Sequence, residues 1–477
     1  MQAIPSEFLA IDRKQRASLP FFDVPTRPPD ERVRDFDDIV IPLDEETARF
    51  EASRCIHCPD PAPCMRACPA DNDIPSAMWL IEQGDFLEAA RLYRQTSSLP
   101  EICGRVCPHE NLCQFSCVRN HYDEPVLTGI LEAFAVDYER NYRRDHSQDK
   151  RSPTGKRAAV VGAGPAGLAC AERLSSLGYR VTIFDARPEP GGLLLYGIPN
   201  FKLPKDVVFD RINDILAGGV EFVGETFVGK DKTIDDLFAE GFEAVFIGVG
   251  TGIDAPMNIP GEELPGVHKG TEFLIRANVA LDMLPRDMQT RPRVGKKVVV
   301  IGGGDTASDC LRTALRMGAE EVTCLYRRTE KEMPGSPKDR KLARQEGAIY
   351  QFLTQPVRFL AGQDGRLAAV ECVRMKLGEP DKSGRRRPIP IEGSNFIIEA
   401  SIAALALGYW PDPIISDATP DLETHKWGLI VTDSETGATS RPGVYAGGDA
   451  VTGPDLVVTA MVAGHKAARA IDEYLRK

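Results

Sequence analysis

Ala158-Ala-Val-Val-Gly162-Ala-Gly164-Pro-Ala-Gly167 and Lys297-Val-Val-Val-Ile-Gly302-Gly-Gly304-Asp-Thr-Ala307 decide the architecture of this 477-residue chain. In each, an apolar run of strand type enters a Gly-x-Gly-x-x-Gly or Gly-x-Gly-x-x-Ala turn and leaves it with amphipathic helical spacing. A strand, turn and helix in that order aim backbone N–H groups and the positive end of a helix dipole at a pyrophosphate. The glycines permit the tight turn and the close approach. Gly162 and Gly302 stand 140 positions apart, so the duplication is of whole domains. The expected class is α/β, with two Rossmann-like dinucleotide-binding domains.

The two units differ where a ribose is read. The strand expected over Arg180-Val-Thr-Ile-Phe184 ends in Asp185, whose carboxylate accepts from ribose hydroxyls and suits an unphosphorylated ADP, as in FAD or NAD. The strand over Val322-Thr-Cys-Leu325 ends in Tyr326-Arg327-Arg328, where guanidinium forks match a phosphate and no acid repels it, so this unit should prefer NADPH. A solvated arginine pair closing a strand is the plainer alternative. Gly162, Gly164, Gly167 and Asp185 are therefore candidate flavin contacts, and Gly302, Gly304, Asp305, Thr306, Arg327 and Arg328 candidate NADPH contacts. Near the C-terminus, Gly443-Val-Tyr-Ala-Gly-Gly448-Asp449 resembles the second flavin motif of flavoproteins with two dinucleotide domains. It implies that Gly448 and Asp449 reach the ribityl–phosphate region and that the NADPH domain is inserted into a discontinuous FAD domain.

Upstream, eight of the twelve cysteines fall between Cys55 and Cys117. The blocks are Cys55-x2-Cys58-x5-Cys64-x3-Cys68-Pro69 and Cys103-x3-Cys107-Pro108-x5-Cys113-x3-Cys117. Thiolates are soft ligands for iron–sulfur clusters and for zinc. A Cys-x2-Cys opening closed by Cys-Pro resembles the bacterial ferredoxin run, and zinc knots more often carry two such pairs, so the spacing favours iron. A disulfide framework suits an oxidising compartment, which nothing else in the chain suggests.

Length indicates about three domains. The formal charge of −12 argues against nucleic acid or an anionic membrane as main partner. No run of 18 apolar residues is present and the N-terminus lacks a signal-like pattern, so the expected location is cytoplasmic. Residues 1–45 are rich in proline and charge and read as an extended arm, disordered or lying on a partner, or as a plain tail. Between the cysteine blocks, Met78, Ile81, Phe86, Ala90 and Tyr93 keep helical spacing, broken at Gly84, with Asp85 and Glu88 in a capping-box pattern. The polar stretch 143–156 reads as a linker. The expected boundaries are 1–150 for the arm and a small helical iron–sulfur domain, 151–280 for the first part of the FAD domain, 281–399 for the NADPH domain and 400–477 for the rest of the FAD domain.

Disulfide reductases of this layout need a redox-active cysteine pair, whereas Cys170, Cys310, Cys324 and Cys372 stand alone. Electrons then leave a flavin by one-electron carriers, which the cysteine domain supplies. At Gly191-Gly192-Leu193-Leu-Leu-Tyr-Gly-Ile-Pro199, Gly302-Gly-Gly-Asp-Thr-Ala-Ser-Asp-Cys310, Tyr326-Arg-Arg328, Glu332-Met-Pro-Gly335 and Gly378-Glu-Pro-Asp381, the chain resembles the small (beta) subunit of bacterial NADPH-dependent glutamate synthase. The related N-terminal half of dihydropyrimidine dehydrogenase shares the layout. The resemblance implies two [4Fe-4S] clusters, one held by Cys55, Cys58, Cys64 and Cys117, the other by Cys68, Cys107, Cys113 and Glu132. Cys103 then stands near the site, although spacing alone makes it a ligand. This chain has five residues rather than four between Cys58 and Cys64. The resemblance also adds Gly192, Leu193 and Thr459 to the flavin contacts. It implies electron input to an FMN-containing large (alpha) subunit in a hetero-oligomer that makes glutamate from glutamine and 2-oxoglutarate. That amide chemistry requires an N-terminal cysteine, and here position 2 is Gln. A related complex serving pyrimidine reduction or ferredoxin-linked transhydrogenation is the alternative. The Arg385-Arg-Arg387 run reads as a solvated turn, and His465, Trp410 and Met333 as packing or surface positions.

Overall fold

The computed structural model describes residues 11–142, 152–381 and 384–477. Most of the expected 143–156 linker lies outside them. Among the described residues no helix is long and apolar enough to cross a membrane.

The cysteine domain is helical: α1 (Glu45–Ser53), α2 (Ile74–Gln83), α3 (Phe86–Thr96), α4 (Pro100–Val106) and α5 (Thr128–Tyr142). Asp73 caps α2 by accepting from Ser76 N at 3.2 Å, and Gly84, at φ +88°, ends it in the left-handed conformation that a side chain disfavours. The expected capping box at Asp85 does not form. Asp85 is the N-cap residue of α3, but its side chain makes no cap bond. Ile74, Met78, Ile81, Phe86, Tyr93, Leu131 and Val136 share one core. Each such side chain contributes about 1.5–3 kcal/mol when fully buried.

The first nucleotide unit is a parallel sheet of β1 (Arg157–Val161), β2 (Arg180–Phe184), β3 (Val220–Val223), β4 (Ala244–Ile247) and a late strand, Val444–Ala446. Their order is late strand, β4, β1, β2, β3. The chain thus leaves this sheet after β4 and returns to it near its end, as the discontinuous-domain reading expects. Helix α6 (Pro165–Ser176) follows β1.

The second unit is also a parallel sheet, comprising β5 (Val267–Lys269), β6 (Lys297–Ile301), β7 (Glu321–Tyr326), β8 (Ile349–Phe352) and a returning strand, Ile402–Leu405. Ile402 pairs with Val298 and Ala403 with Val267. The boundaries expected at 280 and 400 therefore each cut a strand from its own sheet, and the unit extends from Val267 to Leu405. A short antiparallel ribbon of Ile253–Asp254 with Tyr409–Trp410 joins the two connecting segments. Helix α7 (Asp305–Arg316) follows β6, and α8 (Pro337–Gln345) precedes β8.

Inserted after β8 is an antiparallel sheet that sequence reading did not anticipate, made of β9 (Thr354–Ala361), β10 (Leu367–Pro380), β11 (Arg386–Pro390) and β12 (Phe396–Glu399). The strand that returns to the second sheet is β13 (Ile402–Leu405), the late strand of the first sheet is β14 (Val444–Ala446), and α9 (Val457–Leu475) closes the chain.

The described part of the arm is not a plain tail, because part of it packs on the chain itself. Arg32 is buried and donates to Glu346 at 2.8 Å, Ile39 N donates to Phe201 O at 3.3 Å, and Asn200 Nδ2 donates to Phe36 O at 2.7 Å. The arm thereby ties a loop of the first unit to the helices of the second.

Candidate functional site

The eight cysteines sort into two hollows. Cys55, Cys58, Cys64 and Cys117 line one, walled by Ala62, Ile74, Pro75, Met78 and Val126. Cys68, Cys103, Cys107 and Cys113 line the other, together with Tyr93, His109 and Glu132. The chain thus crosses over: Cys68 closes the first block in sequence but belongs with the second set, and Cys117 does the reverse. Among the described residues no three His, Cys, Asp or Glu side chains converge as ligands of a single metal ion. Burial pushes Cys55 and Cys113 up to about 12 and Cys68 up to about 11. Thiolates in such walls are unfavourable unless a cationic centre compensates them. The donor set and its apolar lining therefore fit two iron–sulfur clusters.

The second hollow holds both candidates for the remaining ligand. Glu132, on α5, is buried, accepts from Asn72 Nδ2 at 3.4 Å, and has its carboxyl pushed up to about 8 by burial. Cys103, on α4, stands one helical turn before Cys107, whose backbone N–H donates to Cys103 O at 3.1 Å. Gly104 makes the close approach of α4 to α5 possible, since a Cβ there would lie 2.7 Å from Ala133 N, and Gly129 of α5 leaves room for the His109 ring that follows α4, 2.2 Å from where its Cβ would be. Nothing in their spacing signals this.

Val458 of α9 also lines the second hollow. Beside it, Ser98 bonds His465 at 2.6 Å and Arg211 donates to Ser98 O at 2.6 Å, so His465 belongs to the seam between the cysteine domain and the first unit. Among the described residues, none from the nucleotide units lines the first hollow. Phe115 and Tyr122, on either side of Cys117, are 71% and 72% exposed.

In the first glycine loop the three glycines do different things. A Cβ on Gly162, at φ +101°, would lie 2.5 Å from Gly248 O, and one on Gly167 would lie 1.8 Å from Gly162 O, whereas Gly164 faces open space. The first two fix the turn and seat the helix, and the third leaves room for a ligand. Gly192 packs its backbone on the same loop, a Cβ there falling 2.8 Å from Gly164 Cα. Leu193 beside it is 40% exposed. Asp185 accepts from Ala163 N at 2.7 Å and Arg187 N at 2.8 Å. Each carboxylate oxygen retains a lone pair for a ribose hydroxyl. Asp449 follows Gly448, which sits at φ +71°, and burial pushes its carboxyl up to about 6. Thr459 is turned to its own helix, with Oγ1 donating to Leu456 O at 2.8 Å and accepting from Leu456 N at 3.2 Å.

The second loop repeats the design. A Cβ on Gly302 would lie 2.1 Å from Ala406 O, and Gly304 faces open space. Two candidate side chains are held internally: Asp305 accepts from Ser336 N at 2.7 Å, and Thr306 bonds the Tyr409 hydroxyl at 2.9 Å. What remains for a pyrophosphate is the loop's backbone. Arg327 is exposed. Arg328 departs from the expected pair: it is buried, with Nε donating to Arg386 O at 2.7 Å and Nη2 to Asp381 at 2.9 Å. Of the supposed solvated run, Arg386 and Arg387 are exposed but Arg385 is half-buried.

Between the units lies a charge cluster that sequence reading missed. Lys202 bridges Asp309 at 3.0 Å and Asp339 at 2.8 Å. Glu346 receives Arg32, Arg312 and Arg316 at 2.8, 2.9 and 2.6 Å. Both of the last two guanidiniums lie over the Phe201 ring, 4.5 and 4.0 Å from its centre. Asp309, Arg312 and Arg316 of α7 are buried beneath the folded arm and the loop that carries Phe201.

The geometry agrees with what known proteins show. Residues 32–144 match the family of dihydropyrimidine dehydrogenase domain II, 4Fe-4S cluster, and residues 156–464 match pyridine nucleotide-disulphide oxidoreductase. The chain is 42% identical over 461 residues to the glutamate synthase [NADPH] small chain of Escherichia coli, covering 95% of this chain and 97% of that one. It is 43% identical over 453 residues to the putative oxidoreductase AegA of the same organism, covering 92% of this chain and 67% of the other. In fold it resembles Mycobacterium tuberculosis FprA in complex with NADPH, with a TM-score of 0.57 at 20% identity over 68% of this chain and 85% of that one. The chain belongs to the pyridine nucleotide-disulphide oxidoreductases, in the group that includes the small chain of NADPH glutamate synthase. It is an oxidoreductase that joins two nucleotide units to a 4Fe-4S domain.

Proposed function

We propose that this chain is the electron-input subunit of a glutamate synthase, taking reducing equivalents from NADPH and delivering them one at a time to a large FMN-containing partner in the cytoplasm. FAD would convert a two-electron hydride, with release of one proton, into single electrons carried by two [4Fe-4S] clusters. Gly162, Gly164, Gly167, Asp185, Gly192, Leu193, Gly448 and Asp449 are the proposed hold on FAD. The backbone of the Gly302–Gly304 loop and Arg327 are the proposed hold on NADPH. Cys55, Cys58, Cys64 and Cys117 would ligate one cluster, and Cys68, Cys107, Cys113 and Glu132 the other, with Cys103 as its neighbour. The boundaries that support this division are Val267 and Leu405 for the inserted unit.

One observation carries the reading. Val458, from the helix that packs beneath the first glycine loop, lines the second cysteine hollow. The second cluster would then stand next to the flavin unit and the first beyond it, toward the exposed Phe115 and Tyr122. The chain's work is positional: it excludes water from the thiolates, holds the nucleotides by backbone N–H groups and fixes the units at their seam.

Anaerobic titration with NADPH, followed by absorbance and low-temperature EPR, with and without the large subunit, glutamine and 2-oxoglutarate, tests this. Flavin bleaching, cluster signals and glutamate formed only with the partner are expected. A second reading, an NADPH:acceptor oxidoreductase with another partner, has support in the equal likeness to AegA. Bleaching without glutamate would select it, and absence of bleaching would defeat both.

A further inference from the structure

We propose that Arg13 and Arg16, from the arm, hold the turn that presents Cys55 and Cys58 and set the first cluster to be the more easily reduced of the two. The inference rests on the proposed ligand set of that cluster and makes these arginines positioning residues for an outward flow of electrons.

Cys55 and Cys58 both line the first hollow, and the turn between them passes through His57 at φ +47°, a left-handed conformation that a side chain disfavours. The carbonyls of that turn are held from the arm. Arg13 Nε donates to Ile56 O at 3.1 Å and its Nη2 to His57 O at 3.0 Å. Arg16 Nη1 donates to Ser53 O at 2.8 Å and to Cys55 O at 3.2 Å. Both arginines belong to the short helix Arg13–Ala17, capped by Asp12, which accepts from Lys14 N at 3.0 Å and Gln15 N at 3.1 Å. The buried Arg119 fastens this helix in turn, donating to Arg16 O at 2.6 Å and Leu19 O at 2.9 Å. Arg119 itself lines the first hollow, just after Cys117. The arm thus joins the two parts of the chain, around Cys55 and around Cys117, that supply this ligand set.

The charge follows from these bonds. Arg16 is also joined through both terminal nitrogens to Glu82, at 2.8 Å each, which balances it. Arg13 donates to two neutral carbonyls, and these bonds leave its positive charge whole beside the turn. Burial foremost pushes the Cys55 and Cys58 thiols up, and Arg16 at the first and Arg13 at the second act against it. Each arriving electron adds one negative charge to a cluster, and a nearby cation favours that state. The second hollow has different surroundings: among its described lining residues there is no Arg or Lys, and there is Glu132. Electrons delivered beside the flavin unit would therefore run downhill to the cluster held by Cys117, whose neighbours Phe115 and Tyr122 are exposed.

The test is potentiometric titration of the full chain, loaded with flavin and both clusters, followed by low-temperature EPR. Two cluster waves are expected, the higher belonging to the first cluster. Arg13→Gln keeps a donor and removes the charge. It should lower the reduced-to-oxidised ratio of the higher wave at a fixed potential by roughly 3- to 10-fold, the scale of one partly screened charge, or at most about 59 mV for one electron. Arg13→Lys keeps the charge and loses the fork, so it should retain most of the potential. Glu82→Gln leaves Arg16 unbalanced and should move the same wave upward. The lower wave should stay in place throughout. A higher wave that neither Arg13→Gln nor Glu82→Gln moves overturns the inference. So do equal falls in the two Arg13 variants, or a joint shift of both waves, which would report only a loosened domain. If the Arg13 variants do not retain the cluster, Glu82→Gln decides alone: an upward shift supports the inference, and a fixed or falling wave overturns it. Waves that move as expected in a protein whose flavin NADPH does not bleach defeat the electron-input reading and leave this one standing. Bleaching by NADPH with waves that no variant moves does the reverse.

Discussion

The two nucleotide units share a loop and a sheet topology but are held in place by opposite means. In the first, backbone meets backbone: α9 lies so close to α6 that a Cβ on Gly464 would fall 2.2 Å from Ala166 O. In the second, α7 turns Asp309, Arg312 and Arg316 toward a buried lattice of charge closed by Glu346, Lys202 and the arm's Arg32. Close packing of small residues fixes a unit by shape and tolerates no added volume. Buried ion pairs fix it by geometry and tolerate no lost charge. A unit for a resident flavin and one for an exchanging nucleotide thus reach order by different routes, and each should fail in its own way.

The largest effect is expected from removing the charge at the centre of the second unit's seam. Glu346→Gln leaves three buried guanidiniums short of their carboxylate and should destabilise the protein by about 3–5 kcal/mol. The loss should appear as early melting of the arm and second unit, while flavin fluorescence stays quenched. Simultaneous release of flavin would show that the units are not separately held. Acid should act similarly. Burial pushes Glu346 up, but hydrogen bonds from Arg312 and Arg316 overcome it and hold its carboxyl at about 2. Because the folded value lies below the unfolded one, the stabilisation is complete above about 4.5, the ordinary glutamate range, and is lost as pH falls toward the folded value.

Next comes shape. Gly167→Ala places a Cβ 1.8 Å from Gly162 O, so either the loop or the start of α6 must move. Overpacking of this kind costs about 1–3 kcal/mol and sometimes more. FAD retention through a desalting column should fall sharply, with the melting of the second unit unchanged. Full retention would mean that the loop relaxes freely.

These contrasts also mark what a sequence discloses. The glycine loops are legible because a tight turn and a close backbone approach demand glycine at a fixed local spacing. The cysteine blocks are legible as clusters, whereas the crossing-over division of the cysteines is implied only by the resemblance, spacing alone drawing in Cys103. The strands Val267–Lys269 and Ile402–Leu405 are not legible, because they are short and join their sheet only through partners far away in the chain. Arg328 carries the same signal as Arg327, and its partners Asp381 and Arg386 O, 53 and 58 positions on, turn it inward. Glu346 is invisible for the same reason, since its partner Arg32 lies 314 positions away.

A smaller effect separates the carboxylates. Burial raises Asp449 to about 6, the opposite direction from Glu346. Its folded value lies above the unfolded one, so in the flavin-free protein its charged form costs stability above that pH, and the cost disappears as pH falls toward the ordinary aspartate range. If the carboxylate accepts from a flavin hydroxyl, as proposed, FAD binding requires the deprotonated form. Affinity should then drop by up to about tenfold, or about 1.4 kcal/mol, per pH unit below 6. Fluorescence titration between pH 5 and 7 reads this, and a flat profile would place Asp449 away from the flavin.

The smallest effect sharpens the comparison most, because it uses the same loop position in the other unit. Ala307 occupies in the second loop the place that Gly167 holds in the first, and it is buried with its Cβ accommodated. The second unit therefore does not need glycine there: its helix stands far enough from the turn for a methyl group, and the seam charges supply the remaining constraint. Ala307→Gly removes that methyl and loosens the first turn of α7, which should cost about 0.5–1 kcal/mol, the usual Ala-to-Gly penalty in a helix. NADPH affinity should change little, since the backbone N–H groups that face the pyrophosphate remain. Parallel melting curves of Ala307→Gly and Gly167→Ala measure the difference between the units directly. Equal losses would show that one mode of packing holds both loops, and the division between shape and charge would then have to be abandoned.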